Sequence, residues 1–176
     1  DKFHDRRMTM FEIDTSTDFG KRVTRRLEEE LIVWLTTVTL SGKPEPRPVW
    51  FYWDGELFHI YSRPSTYKLR HIRDNNHVSL NFNSTETGGD IVVFSGDATI
   101  EVEASADEDE PYVEKYEEEM TGLGMTPEEF ATSYSVALRV RNSPTSPSTK
   151  ARSSSTTTAG APWLEARRSR MRPSMP

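Results

Sequence analysis

The sequence predicts a mainly β protein: a small barrel of six antiparallel strands with short flanking helices. Segments of strand length are rich in β-branched and aromatic residues, and turns containing Gly, Asp and Pro separate them. Few stretches show helical periodicity, and strands and helices do not alternate as they do in a parallel α/β sheet. A chain of 176 residues has room for one such domain.

Six segments are predicted as strands: residues 31–39, 46–53, 56–62, 77–83, 91–102 and 134–141. The dipeptide Asp54-Gly55 between two aromatic runs is a strong hairpin signal, so the second and third strands are expected to pair antiparallel. Alternation along the second strand places Phe51 on one face and Trp50 and Tyr52 on the other. One aromatic face is expected to pack the barrel, and the other to meet a planar ring or a second subunit.

Four helices are predicted around these strands. An amphipathic helix begins at Asp18, capped by Thr17 or by Asp18 itself, with apolar residues recurring every four positions. Two further helices are expected over residues 67–73 and 107–120. Pro127 is expected at the first position of a brief fourth helix.

These elements predict a domain over residues 18–141, preceded by an extension at 1–17 and followed by a tail at 142–176. Residues 142–158 hold eleven Ser or Thr, and the tail carries six Lys or Arg against one Glu. So polar a segment cannot bury enough apolar surface to offset the entropy of ordering it. Two interpretations stay open: a disordered tail, or a Ser-, Pro- and Arg-rich sequence that results from a change of reading frame.

Composition narrows the classes of function. The formal charge of −6 argues against nucleic acid or an anionic membrane as the partner of the whole molecule. Cysteine is absent, which excludes disulfides and thiol chemistry, and no apolar run reaches the length of a membrane helix. A cytoplasmic location is expected.

Metal and hydrolase chemistry have no support in the sequence. The four histidines form no pair at ligand spacing with a nearby carboxylate, so no metal site is expected. His59 and His71 are interpreted as hydrogen-bonding or surface residues. No nucleophile elbow, Rossmann fingerprint or P-loop is present.

Residues 61–73 give the main indication of a binding site. In this segment a strand ends, a Pro-Ser-Thr turn follows and a helix begins. Free N–H groups of the helix start, the hydroxyls of Ser62, Ser65 and Thr66, and the cation of Lys68 converge there. The segment holds five cationic or potentially cationic residues in an otherwise acidic domain: Arg63, Lys68, Arg70, His71 and Arg73. This pattern predicts a phosphate site, and an exposed basic helix face remains the alternative.

Taken in order, residues 33–62, 68–83 and 88–100 resemble the pyridoxamine 5'-phosphate oxidase-like split β-barrel family. They are most similar to the branch of probable coenzyme F-420 (deazaflavin)-dependent reductases. The resemblance implies an FMN-binding split-barrel fold and a homodimer with two cofactor sites at the subunit interface. The true pyridoxamine phosphate oxidases carry a Lys near the position of Tyr52, so oxidation of a B6 vitamer is not implied.

The resemblance also implies a set of cofactor-binding residues. The ring would lie along the second and third strands, and the phosphate would meet the start of the following helix, with Lys68 as its principal contact. The implied set is Arg47, Pro48, Val49, Trp50, Tyr61, Ser62, Thr66, Tyr67, Lys68 and Arg70.

Three functional hypotheses follow from the resemblance. The first is hydride transfer from a reduced F-420 deazaflavin to a small unsaturated organic acceptor, in which the cofactor supplies the redox chemistry. The second is an FMN-binding reductase or oxidase of the same fold, and the third a non-catalytic module that binds a flavin or deazaflavin. No catalytic side chain is identified, although Tyr52, Tyr61 and Tyr67 are candidate proton donors.

Overall fold

A computed structural model describes residues 13–102 and 104–143. Its helices are α1 (Asp18–Glu29), α2 (Tyr67–Asp74), α3 (Glu110–Gly122) and α4 (Pro127–Ser133), with one 3₁₀ turn at Ala106–Glu108. Its strands are β1 (Val33–Val38), β2 (Pro44–Val49), β3 (Tyr52–Trp53), β4 (Leu57–Ser62), β5 (His77–Asn81), β6 (Val93–Glu101) and β7 (Val136–Asn142). The residues predicted as a tail lie outside the described part from 144 onward, as do residues 1–12 of the predicted extension.

The strands form one antiparallel sheet in the order β2-β1-β5-β6-β7-β4-β3. Strands β2 and β3 are therefore its two edges, yet only two residues separate them along the chain. The sheet must curl until its edges nearly meet, which makes a barrel split along one seam. This confirms the predicted mainly β, antiparallel split-barrel class.

The strand count is seven rather than six because the predicted second strand is divided at Trp50 and Phe51. The backbone of Phe51 leaves the ladder: its N–H donates to Tyr116 Oη at 2.8 Å, and Tyr116 Oη lies 2.8 Å from its carbonyl oxygen. Only the short part after this break pairs with β4, at Tyr52↔His59 and Trp53↔Phe58. The part before it pairs with β1 instead.

Prolines explain why β2 is an edge. They occupy alternate positions, at Pro44, Pro46 and Pro48, so every second backbone N–H is missing. In a strand paired on one side only, those positions face away from the partner and need no ladder bond. A central strand with this sequence would lack every backbone N–H donor toward one of its two neighbours.

The side chains pack into two apolar clusters. The first fills the barrel and contains Phe51, Phe58, Ile60 and Leu80, each at most 1% exposed. The second lies between the outer face of the sheet and the helices α3 and α4, where Tyr112, Tyr116 and Phe130 meet Trp50 and Tyr52. The predicted alternation is confirmed for Val49, Phe51 and Trp53, which face the barrel core. The expectation for the other face is wrong: Trp50 and Tyr52 meet helices of the same chain instead of a planar ring or a second subunit.

Helix α1 is held to the barrel by one buried arginine. Thr17 caps the helix through a bond from Gly20 N–H at 3.0 Å. On the inner face Arg26, 8% exposed, donates to the carbonyl oxygens of Asn83 and Asp90 and pairs with the carboxylates of Glu30 and Asp90. Every described polar partner of this cation is therefore an oxygen, as burial of a charge requires.

We expect Gly96→Ala to destabilise the fold because the sheet has no space for a methyl group there. Gly96 is buried in β6, and an added Cβ would overlap the carbonyl oxygen of Arg141 in β7. Overpacking of this kind costs about 1–3 kcal/mol of unfolding free energy. Urea denaturation measures it, with Gly122→Ala as the matched control.

The control is expected to change stability in the opposite direction. Gly122 ends α3 with no atom within 4 Å of an added Cβ, and alanine loses less entropy on entering a helix. A Gly96→Ala variant as stable as the wild type would contradict the close approach of β6 to β7.

No helix in the described ranges combines the length and the apolar character needed to cross a bilayer.

Candidate functional site

Helix α2 closes the barrel beside β1. Leu69 and Ile72 belong to the barrel core, at 0% and 4% exposed. His71 is also buried, and its Nδ1 lies 3.0 Å from Thr37 Oγ1 on β1. His71 is therefore a structural residue, as the sequence predicts. Because β2 is the next strand after β1, this packing brings the start of α2 close to β2.

Lys68 and Arg47 are two cations that α2 and β2 hold near each other. Burial and then the positive charge of Arg47 lower the pKa of Lys68 below its usual value. In the described part of the chain, Lys68 has neither a hydrogen bond nor an ion pair, whereas Arg47 pairs with Glu45 at 3.3 Å. A half-buried lysine facing a second cation without a carboxylate is suited to bind an anion.

The hydroxyl groups of Ser62 and Thr66 contact each other at the start of α2. Their oxygens are 2.9 Å apart, and Ser62 is only 1% exposed. Thr66 is the N-cap residue of α2, but its side chain makes no capping bond to the helix. The first N–H groups of α2, which have no partner within the helix, are therefore left without this side-chain cap. Of the sequence-predicted set, the structure brings Ser62, Thr66, Lys68 and Arg47 to one region.

Tyr67 and Arg70 extend this region on the exposed side of α2. The guanidinium of Arg70 lies 5.0 Å from the centre of the Tyr67 ring, and Tyr67 is 68% exposed. Neither side chain reaches the barrel core. Their positions place a cation and an aromatic ring at the surface next to Lys68.

Trp50 is engaged with the second cluster. Its ring stacks on Tyr116 at 4.7 Å between centroids, with a 2° angle between planes, and lies 5.4 Å from Phe130. Val49 is 8% exposed and faces the barrel, while Pro48 is exposed on the edge strand. Within this chain Trp50 thus supports the strand from the helix side.

Tyr61 does not face the same side of the sheet as Ser62. Adjacent strand residues point to opposite faces, and Tyr61 packs in the second cluster, where its ring lies 4.7 Å from that of Tyr112. Its hydroxyl donates to Asp109 Oδ2 at 2.8 Å and accepts from Arg139 Nη2 at 3.1 Å. Its side chain is thereby separated from the group around Lys68.

The structure distinguishes the three tyrosines considered as proton donors. Burial and the hydrogen bond to the Asp109 carboxylate raise the pKa of Tyr61, which makes it a poor acid. Tyr52 is half-buried, and its ring lies nearly perpendicular to the imidazole of His59. Of the three, Tyr67 is the exposed residue, and it directly precedes Lys68 in α2.

Sequence reasoning missed a polar network around His59. The imidazole contacts Asp54 and Asp109, and Arg139 of β7 completes the group. Asp109 is 50 positions from His59, so no local motif could have indicated the contact. Across residues 13–102 and 104–143, no three His, Cys, Asp or Glu side chains are grouped to hold a metal ion.

Three solved structures illustrate the similarity of the fold. An F-420 reductase is 21% identical with a TM-score of 0.54, covering 68% of this chain and 91% of its own. An FAD-binding protein from Mesorhizobium loti is 15% identical with a TM-score of 0.52, and the match covers 70% of this chain and 87% of that protein. The haem storage protein HutZ from Vibrio cholerae is 14% identical with a TM-score of 0.51, and the match covers 76% of this chain and 92% of that protein. At these identities the likeness establishes the fold alone.

The sequence itself carries the family assignment. No curated protein matches the chain at a significant level. The family model described as Pyridoxamine 5'-phosphate oxidase matches residues 19–142, a span that runs from α1 to the end of β7. Because this match covers well over half of the sequence, the chain belongs to the pyridoxamine 5'-phosphate oxidase family.

Proposed function

We propose that this chain is an oxidoreductase that binds a flavin-type cofactor, with coenzyme F-420 as the cofactor and a small unsaturated organic molecule as the hydride acceptor. The observation that carries the proposal is the half-buried Lys68, which lies near Arg47 and pairs with no carboxylate among the described residues. Family membership and a solved neighbour that is an F-420 reductase support it.

The phosphate group of such a cofactor fits the residues present. A phosphate placed at the start of α2 would receive the free N–H groups of the helix, the charge of Lys68 and the hydroxyl of Thr66. It would also relieve the repulsion between Lys68 and Arg47. Arg70 and Tyr67 at the exposed side would add positive potential and one hydroxyl.

The ring end would lie along the β2 edge near Pro48 and Val49, continuing toward Ser62. Trp50 would support this strand through its own stack on Tyr116 rather than stack on the cofactor. Bound there, the deazaflavin would supply the hydride, and the protein would bind and orient it and limit access of water. Tyr67 is the side chain best placed to deliver a proton.

Two alternatives keep the same site. FMN also carries a phosphate, and the solved FAD-binding neighbour favours an ordinary flavin. A non-catalytic binding module is favoured by the haem storage protein of the same fold, since that neighbour stores a ligand.

We further propose a homodimer that completes each cofactor site. Large apolar side chains that no described residue covers support it, among them Leu40, Val102, Ile91 and Leu123, which are 57–86% exposed. Tyr67 beside the phosphate region is exposed in the same way.

Titration with each cofactor separately tests the proposal. We expect the purified protein to bind F-420 more tightly than FMN by fluorescence, and to oxidise reduced F-420 when a quinone or enone is added. Sedimentation of the same sample should give two subunits. Tight retention of FMN without affinity for F-420 would overturn the deazaflavin assignment, and binding without turnover of any acceptor would favour the storage module.

A further inference from the structure

A cleft of about 440 Å³ lies on the outer face of the sheet, away from the group around Lys68. Strands β4 and β7 form its floor, and the 3₁₀ turn with the start of α3 forms one wall. His59 and Arg139 rise from the floor, and Asp109 and Glu108 line the wall. The proposed cofactor site uses none of these side chains.

His59 joins two separate segments across this region. Its Nδ1 lies 2.7 Å from Asp109 Oδ2 at the start of α3, and its Nε2 lies 2.9 Å from Asp54 Oδ2 in the β3–β4 turn. Both distances are those of hydrogen bonds to charged groups. The imidazole thus links the hairpin turn to a helix start that lies 50 positions after His59 in the sequence.

Both contacts are attractive only when the ring carries two protons. A neutral imidazole has one N–H, and its other nitrogen would present a lone pair to a carboxylate oxygen. The carboxylates are themselves held ionised by other donors. Asp54 Oδ1 accepts the backbone N–H groups of Glu56 and Leu57, each at 2.7 Å, and Asp109 Oδ2 accepts the Tyr61 hydroxyl.

We propose that doubly protonated His59 is a pH-dependent clamp that holds the start of α3 to the β3–β4 turn, and that this edge of the cleft loosens when the imidazolium loses one proton. Whichever nitrogen keeps its proton, only one of the two carboxylates remains bound. The bridge between the two segments is then lost, while the barrel core beneath it stays intact.

The groups that face His59 set the direction of its titration. Burial lowers the pKa, but the hydrogen bonds to Asp109 and then Asp54 outweigh this, so that the pKa is raised above the usual value. Arg139 on β7 opposes the shift, although Glu101 pairs with it at 3.4 Å. The remaining neighbours are Tyr61 on the same strand, Tyr52 on β3 with its ring nearly perpendicular to the imidazole, and Glu108 and Glu110 along the cleft wall.

The sign of the pH effect follows from the raised pKa. The clamp contributes fully below the unfolded-state value of about 6.5 and is lost as pH rises through the folded-state pKa of His59. The opening therefore takes place in the window above about pH 6.5.

Nitrogen NMR of the histidine rings and amide hydrogen exchange test the clamp together. At pH 6 both ring nitrogens of His59 should be protonated, and the ring should titrate above about pH 6.5. Across that titration, protection of the Asp109 and Val113 amides, corrected for the intrinsic exchange rate, should fall by up to tenfold for each unit of pKa elevation. A ring with one proton at pH 6, or protection independent of the titration, would overturn the proposal.

Two variants sharpen the measurement. In His59→Gln, protection of the α3 start should be low and independent of pH. His77→Gln is the matched control, because His77 binds a single carboxylate, Asp97, on the exposed face of β5. It should keep the wild-type pH response. If the His59 variant does not fold, the wild-type titration still decides the question.

Discussion

Replacing Lys68 with alanine is expected to weaken binding of the phosphate-bearing cofactor by roughly 10- to 150-fold, because a hydrogen bond to a charged group contributes about 1.5–3 kcal/mol. The fold should be unaffected. Lys68 is half-buried, has no described hydrogen bond and faces Arg47, so its charge contributes repulsion rather than stability. Fluorescence titration gives the affinity, and urea denaturation gives the unfolding free energy.

Lys43→Ala is the matched control for this prediction. Lys43 precedes β2, is 73% exposed, and makes only a surface pair with Glu45 at 3.4 Å. Removing it takes the same charge from the same side of the barrel without touching the start of α2. Equal losses of affinity in the two variants would mean that Lys68 acts only through long-range attraction. Unchanged affinity in Lys68→Ala would contradict a phosphate site at Lys68.

Tyr116→Phe is expected to destabilise the protein by about 2–4 kcal/mol although it removes one oxygen atom only. That hydroxyl accepts from Phe51 N–H and shares its proton between the carbonyl oxygens of Phe51 and Leu31, all at 2.8 Å. Phe51 is 0% exposed, so water cannot replace the lost partner. Each buried group left without a partner costs about 1–3 kcal/mol.

The comparison with Tyr134→Phe isolates the hydroxyl from the ring. Tyr134 stacks on Phe130 at 4.4 Å in the same cluster, and no hydrogen bond of its hydroxyl is described. We expect this control to change stability by less than about 0.5 kcal/mol. Similar losses in both variants would mean that Tyr116 acts through ring packing and does not hold the strand break in place.

The candidate site was predictable only where it is local in sequence. Ser62, Thr66 and Lys68 fall within one strand-turn-helix segment, so their convergence could be inferred from spacing. The nearness of Arg47 to Lys68 required the pairing of β2 with β1 and the packing of α2 against β1. Tyr61 neighbours Ser62 in sequence and is predicted for the same site, but alternation turns its side chain to the opposite face.

By itself, the sequence determined the class of fold, the four helices, the Asp54-Gly55 hairpin and the cationic turn, because periodicity and turn chemistry act over a few residues. Only the tertiary structure decided where the aromatic strand breaks and what His59 binds. Tyr116 and Phe51 are 65 positions apart, and His59 and Asp109 are 50 apart. Such contacts satisfy buried polar groups that have no partner nearby in the chain, and their choice depends on how the curled sheet and the helices pack together.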